Sequence, residues 1–277
     1  MPHTQAGWLL ILAGALFAGC GKSPASGVHD AGRATCQTLF GTPNVSTGLD
    51  ASACGPACAC GGDAWAPPAY TQQQIDSLAQ RTLLDPPAPL AESPYTHPQD
   101  FPAHPDQVCG VLPDASQPGA YRLQTYASAD AAKQAGATLT HYGDCGLCSP
   151  LADLAVYMNS DDLTGPVRSC ALKVTPDGGA GAAMACLTAL GFDQPCAQIW
   201  YYNALNTRAH CLSPCLADLS KPYQKPDGAL NDCLQCDEDQ SGPVFKAVAG
   251  RTRRNSGLPS AICRPCSTVR HVVHTYP

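Results

Sequence analysis

The chain has 277 residues, with 14% charged, 44% hydrophobic, 25 Gly and 26 Pro. Its charged content lies well under the usual ~25%, and its apolar content suffices for a sizeable core in one to two domains. A net charge of −6 argues against general nucleic-acid binding. Seventeen cysteines dominate the composition. That density points to an oxidising compartment or to metal binding.

Residues 8–19 form an apolar run of about a dozen residues, too short to span a bilayer and suited to a signal-peptide core. It ends in Leu16-Phe-Ala-Gly-Cys20. This segment resembles a bacterial lipobox, the signal of bacterial lipoproteins. The resemblance implies a signal peptide at 1–19, acylation of Cys20 as the mature N-terminus, and a lipid anchor in the cell envelope, at the periplasm or the cell surface. An ordinary secretory signal is the alternative, and both readings export the protein. Without Cys20, sixteen cysteines remain, an even number compatible with eight disulfides.

Residues 20–118 read as a tether and an irregular Cys-, Pro- and Gly-rich region with one helix. The cluster Cys54-Gly-Pro-Ala-Cys58-Ala-Cys60 suggests a small stapled loop. The helix is predicted over 71–84, with Thr71 and Gln74 as a capping box, an apolar stripe at Ile75, Leu78, Ala79 and Leu83, and a stop at Pro86 and Pro87. Residues 85–118 read as proline-rich and irregular.

From 119 to 277 the pattern predicts one disulfide-rich, mainly helical domain with a small strand element. Residues 120–126 alternate as a strand does, 128–134 suit a short helical turn, and 137–142 read as the next strand. A turn with Cys145 and Cys148 leads into a helix over 149–158, with Pro150 in its first turn. Helices are expected at 180–191 and from 194 to about 210. Fifteen residues of helix would separate Cys196 from Cys211 by ~22 Å, so each must bridge elsewhere. The fold class expected is mainly α with a small β element (α+β), disulfide-rich and loop-rich.

Candidate chemistry falls in two places. A cysteine at a helix N-terminus has its thiolate stabilised. Strand, Cys145-Gly-Leu-Cys148 and apolar helix resemble the thioredoxin-like redox site. That would make Cys145 the nucleophile and Cys148 the resolving cysteine, with Pro176 in the place of the family's cis-proline. Gly143-Asp-Cys-Gly-Leu-Cys-Ser149 also resembles the papain-like active-site segment, which would make Cys148 the nucleophile. His141 is the nearby candidate base. The bland alternative is that these cysteines are structural bridges. Metal binding by Cys54, Cys58 and Cys60, or by Cys233, Cys236, Cys263 and Cys266, is a further reading, but export favours disulfides over zinc thiolates. No metal site and no cofactor is assigned.

The second place is basic. From residue 241 onward there is no Asp or Glu, while Lys246, Arg251, Arg253, Arg254, Arg264 and Arg270 are all cationic. Lys246, Arg251, Arg253 and Arg254 are candidate contacts for an anionic small molecule or a glycan, since guanidiniums grip carboxylate, phosphate and sulfate bidentately. The alternative is a basic face paired with the acidic patch Asp232, Asp237, Glu238 and Asp239.

The segments Cys-Gly-x-Cys-Ser, Cys-Leu-Gln-Cys-Asp-Glu and Ala-Gly-Arg-Thr-Arg-Arg-Asn-Ser-Gly-Leu resemble an uncharacterised cysteine-rich exported family. That resemblance spans most of the chain after residue 120 and implies a shared fold without a mechanism. The expected function is an exported, lipid-anchored binding or structural module without nucleic-acid partners. The alternative is a thiol-dependent enzyme, either an oxidoreductase at Cys145/Cys148 or a hydrolase with Cys148 as nucleophile.

Overall fold

The computed structural model describes residues 38–60, 63–173 and 179–277. Cys20, Cys36, the side chain of Cys60, and Pro176 lie outside what it describes.

The first strands are short: β1 (Leu39–Phe40), β2 (Cys54–Gly55), β3 (Cys58–Cys60) and β4 (Asp63–Trp65). Helix α1 (Gln72–Ala79) begins with the expected capping box, Thr71 and Gln74 each bonding the other's backbone. It buries Ile75 and Leu78. The helix stops five residues short of the predicted end. Thr82 and Leu83 instead form β5, parallel to β7 (Ala120–Tyr126), because that strand's edge offers unpaired main-chain groups.

Strand β6 (Val108–Pro113) lies inside the passage expected to be irregular. It pairs antiparallel with β7 on one side and with β8 (Thr138–Tyr142) on the other. The sheet order is β5-β7-β6-β8, so β6 sits between two strands joined by helix α2 (Ala129–Gln134). A bulge between Cys109 and Gly110 breaks its register with β8. Gly110 is required there, since a Cβ would lie 2.8 Å from the Tyr126 ring. The expected boundary at 118/119 therefore falls between two paired strands.

The helices follow: α3 (Leu151–Asn159), α4 (Thr164–Ala171), α5 (Gly179–Ala189), α6 (Gln194–Ala217), α7 (Asp232–Gln240) and α8 (Gly242–Ala249). A last strand, β9 (Arg264–Pro265), pairs antiparallel with β1. The fold is thus α+β, with eight helices among the described residues, as composition and pattern predict. One core joins Leu151, Leu154 and Tyr157 of α3 to Leu187, Ile199, Phe245 and Val248, with Tyr121 and Val111 of the sheet beneath.

Seven disulfides join all fourteen cysteines whose side chains are described. This density marks an oxidising, exported environment. Cys54 and Cys58 do not staple a local loop. They reach Cys263 and Cys266, 209 and 208 positions away. Helix α6 continues past its predicted end, through Pro214, to Ala217. Bonds Cys211–Cys236 and Cys215–Cys233 flank that proline and hold both turns against α7. Cross-links here override the helix-breaking tendency of proline.

Candidate functional site

The turn over 143–149 is clamped rather than open. Cys145 is bonded to Cys109 of β6, and Cys148 to Cys196 of α6. The thiol chemistry expected of this pair has no thiol to use, since each sulfur is held by a separate distant partner. The same holds for Cys233, Cys236, Cys263 and Cys266, which are bridged in α7 and in the C-terminal segment. The turn docks on the end of α8: the N–H groups of Leu147 and Cys148 donate to the carbonyls of Val248 and Ala249, both at 2.9 Å. Gly146 permits this approach, for a Cβ there would lie 2.4 Å from the Val248 carbonyl oxygen.

His141 does not serve Cys148. Its Nδ1 lies 3.0 Å from the Tyr142 carbonyl oxygen, so Nδ1 carries the proton. Its Nε2 then accepts from Ser149 Oγ at 2.7 Å. Burial, followed by the nearby Arg251 charge, holds the imidazole well below its ordinary pKa. A serine bonded to a histidine is the arrangement of nucleophile and base, but both side chains are fully enclosed and offer no surface to a substrate.

Arg251 departs furthest from expectation. It is not a surface anion contact but a fully buried cation. Nε donates to the Cys148 carbonyl at 3.0 Å, and Nη2 to the Ser149 carbonyl and Thr140 Oγ1, each at 2.8 Å. Nη1 donates to the Thr140 carbonyl at 3.2 Å and Ser256 Oγ at 3.3 Å. No carboxylate pairs with it among the described residues. Its planar fork ties strand β8, the cysteine turn and the segment after α8 together.

The other three predicted cations behave differently. Lys246, Arg253 and Arg254 line one cavity of about 590 Å³ bounded by α4, α6, α7, α8 and the chain after α8. Arg264 joins them from β9, and Arg168 and Arg208 from α4 and α6. At the centre stands Glu238. Its Oε1 accepts from Lys246 and Arg254, and its Oε2 from Arg264 at 3.0 Å. Burial alone would push this carboxyl up, but the guanidiniums of Arg264 and Arg254 and the Lys246 ammonium hold it at about 2. Asp237, beside it, is occupied by hydrogen bonds from Asn203 and Thr207, and burial pushes its pKa up. Arg253 donates to the carbonyls of Pro259 and Ser160 and lies over the Tyr157 ring at 5.5 Å.

The remaining walls are apolar. Tyr157, Leu163, Val167, Trp200 and Phe245 line the side towards the core. Tyr157 Oη and Trp200 Nε1 are buried in this wall without a hydrogen bond of normal geometry. Leu172, Leu212, Leu216 and Leu219 line the cavity as well and are 72%, 49%, 59% and 51% exposed. The arrangement can therefore hold an apolar body against a cationic wall.

Sequence reasoning missed Arg264 and the role of Glu238. Arg264 is the one cation between Cys263 and Cys266, and its meeting with Glu238 of α7 is a long-range contact of the folded chain, in which β9 is held by β1 and by the Cys54–Cys263 and Cys58–Cys266 bonds. Glu238 was legible as part of an acidic patch that could pair with the basic run, but not as a carboxylate shared by three cations.

Residues 180–272 match DUF8771, a family of unknown function. The matched segment carries α6, α7 and α8 with Lys246, Arg253, Arg254 and Arg264, and so most of the cavity. No curated protein and no solved structure matches the chain.

Proposed function

We propose that this disulfide-stapled protein is an exported binding module that takes a small, largely apolar anion into the cavity between α4, α6, α7 and α8. One observation carries the reading. The cavity is lined by six Lys and Arg side chains against two carboxylates, in a chain whose net charge is −6. Glu238 neutralises part of the charge of Lys246, Arg254 and Arg264, which leaves an excess for an incoming anion. Glu238, Arg254 and Arg264 are three-quarters or more buried, and there that attraction is stronger than at an open surface. The lipobox-like segment supports a lipid anchor at Cys20, which would hold the module at a membrane and present the cavity to molecules of the envelope.

Calorimetric titration with 1-naphthalenesulfonate and with its neutral counterpart 1-naphthalenemethanol tests the charge requirement. The sulfonate is expected to bind at least ~10-fold tighter, with the advantage shrinking as salt rises. Equal affinities would refute the reading.

A further inference from the structure

Resting on that anion-binding reading, the structure assigns the ligand a shape as well as a charge: we infer that it is a single-chain anionic amphiphile. The head group meets Lys246, Arg254 and Arg264, and the tail runs along α6 to the leucines at 212, 216 and 219.

Helix α6 supplies the ruler. Asn203 and Thr207 hydrogen-bond Asp237, the residue next to Glu238, so the cationic end of the cavity is level with residues 203–207. The bonds Cys211–Cys236 and Cys215–Cys233 then fix α7 antiparallel alongside the next two turns. Leu212 and Leu216 follow at helical spacing on the same helix, Leu219 lies just past its end, and all three line the same cavity. From Thr207 the two helical leucines lie ~8 and ~14 Å further along the axis. An extended chain covers that distance with roughly 6–11 carbon–carbon bonds at ~1.3 Å of projected length each.

Exposure agrees with this direction. Six large hydrophobic residues are exposed among the described residues, and four of them, Leu172, Leu212, Leu216 and Leu219, line this one cavity. Scattered exposed leucines would need no account, but four on one rim mark a site that an apolar partner covers. A compact anion held by Lys246, Arg254 and Arg264 would leave them wet, whereas an acyl chain would cover them.

The test is calorimetry on the exported, disulfide-bonded protein with butanoate, decanoate and decanol, all below their aggregation limits. Decanoate is expected to bind at least ~100-fold tighter than butanoate, since each buried methylene adds roughly fourfold. The variant L212S/L216S, altered only at exposed positions, is expected to weaken decanoate ~10-fold or more and to leave butanoate unchanged. Equal binding of butanoate and decanoate would overturn the tail while leaving the anion site standing. Decanol binding as tightly as decanoate would instead overturn the anion reading. A concentration-dependent dimer, dispersed by L212S/L216S without any change in decanoate affinity, would make the rim an interface between copies and would also overturn the proposal.

Discussion

Replacing Arg251 measures how far one buried cation organises this fold. Arg251→Met keeps the length and apolar stem of the side chain but removes five hydrogen bonds, three of them to the carbonyls of Thr140, Cys148 and Ser149. Acceptors left without donors inside a protein cost ~1–3 kcal/mol each. Removing the buried charge returns some of that loss, because a cation without a carboxylate partner is itself costly to enclose. The net expectation is a loss of about 4 kcal/mol. For a domain of this size that corresponds to a fall of ~8–16 °C in Tm. Arg251→Lys should lie between, since an ammonium cannot span three acceptors in one plane. The assay is thermal and urea unfolding followed by circular dichroism, with disulfides verified intact. A loss under ~1 kcal/mol for Arg251→Met would refute the reasoning. So would an Arg251→Lys protein that keeps its stability but loses anion binding, since the guanidinium would then be acting on a ligand.

Three further outcomes are expected. Peptide mapping without reduction should recover the bonds Cys109–Cys145 and Cys148–Cys196, and a Cys145–Cys148 bond would restore the thioredoxin-like reading. Burial raises Asp153 to about 8, so between ~4 and 8 the folded state binds more protons than the unfolded chain. Stability from this group is full at low pH and lost as pH rises through 8; Asp153→Asn should flatten that limb of the stability–pH curve while keeping the acceptor for the Asp193 N–H, and an unchanged slope would exclude Asp153 as its source. Tyr121→Phe removes the hydroxyl that accepts the Leu151 N–H at 2.8 Å at the start of α3, and should cost about 1–2 kcal/mol in urea unfolding, with no loss meaning that water replaces it.

Much of the fold could be read locally. The Thr71/Gln74 capping box, the alternation in β7 and the proline before α3 are short-range signals that packing did not overrule. Strand β6 was not legible, because a central strand buries both faces and Val108-Cys-Gly-Val-Leu-Pro has no alternation to show. Its Gly110 and Pro113 also resemble turn residues. Helix α8 was not predicted, although Pro243 in its first turn is a position that suits proline. For the candidate site, the basic run was visible, but its division was not. Arg251, Arg253 and Arg254 are near neighbours in sequence, and only the turn at Gly250, with φ 71°, sends the first inward and the others towards the cavity.

The two long-range bonds of the N-terminal region have a consequence for biosynthesis. A chain exported N-terminus first delivers Cys54 and Cys58 to the oxidising side long before Cys263 and Cys266 follow. Each early thiol then meets neighbours such as Cys60 and Cys109 before its native partner exists, and the native bonds Cys54–Cys263 and Cys58–Cys266 close only after nearly the whole chain has crossed. Oxidation in order of arrival gives the wrong connectivity. A chain oxidised in that order would need thiol–disulfide exchange to reshuffle its early bonds, and a host exporting it that way without an isomerase would accumulate misbridged chains.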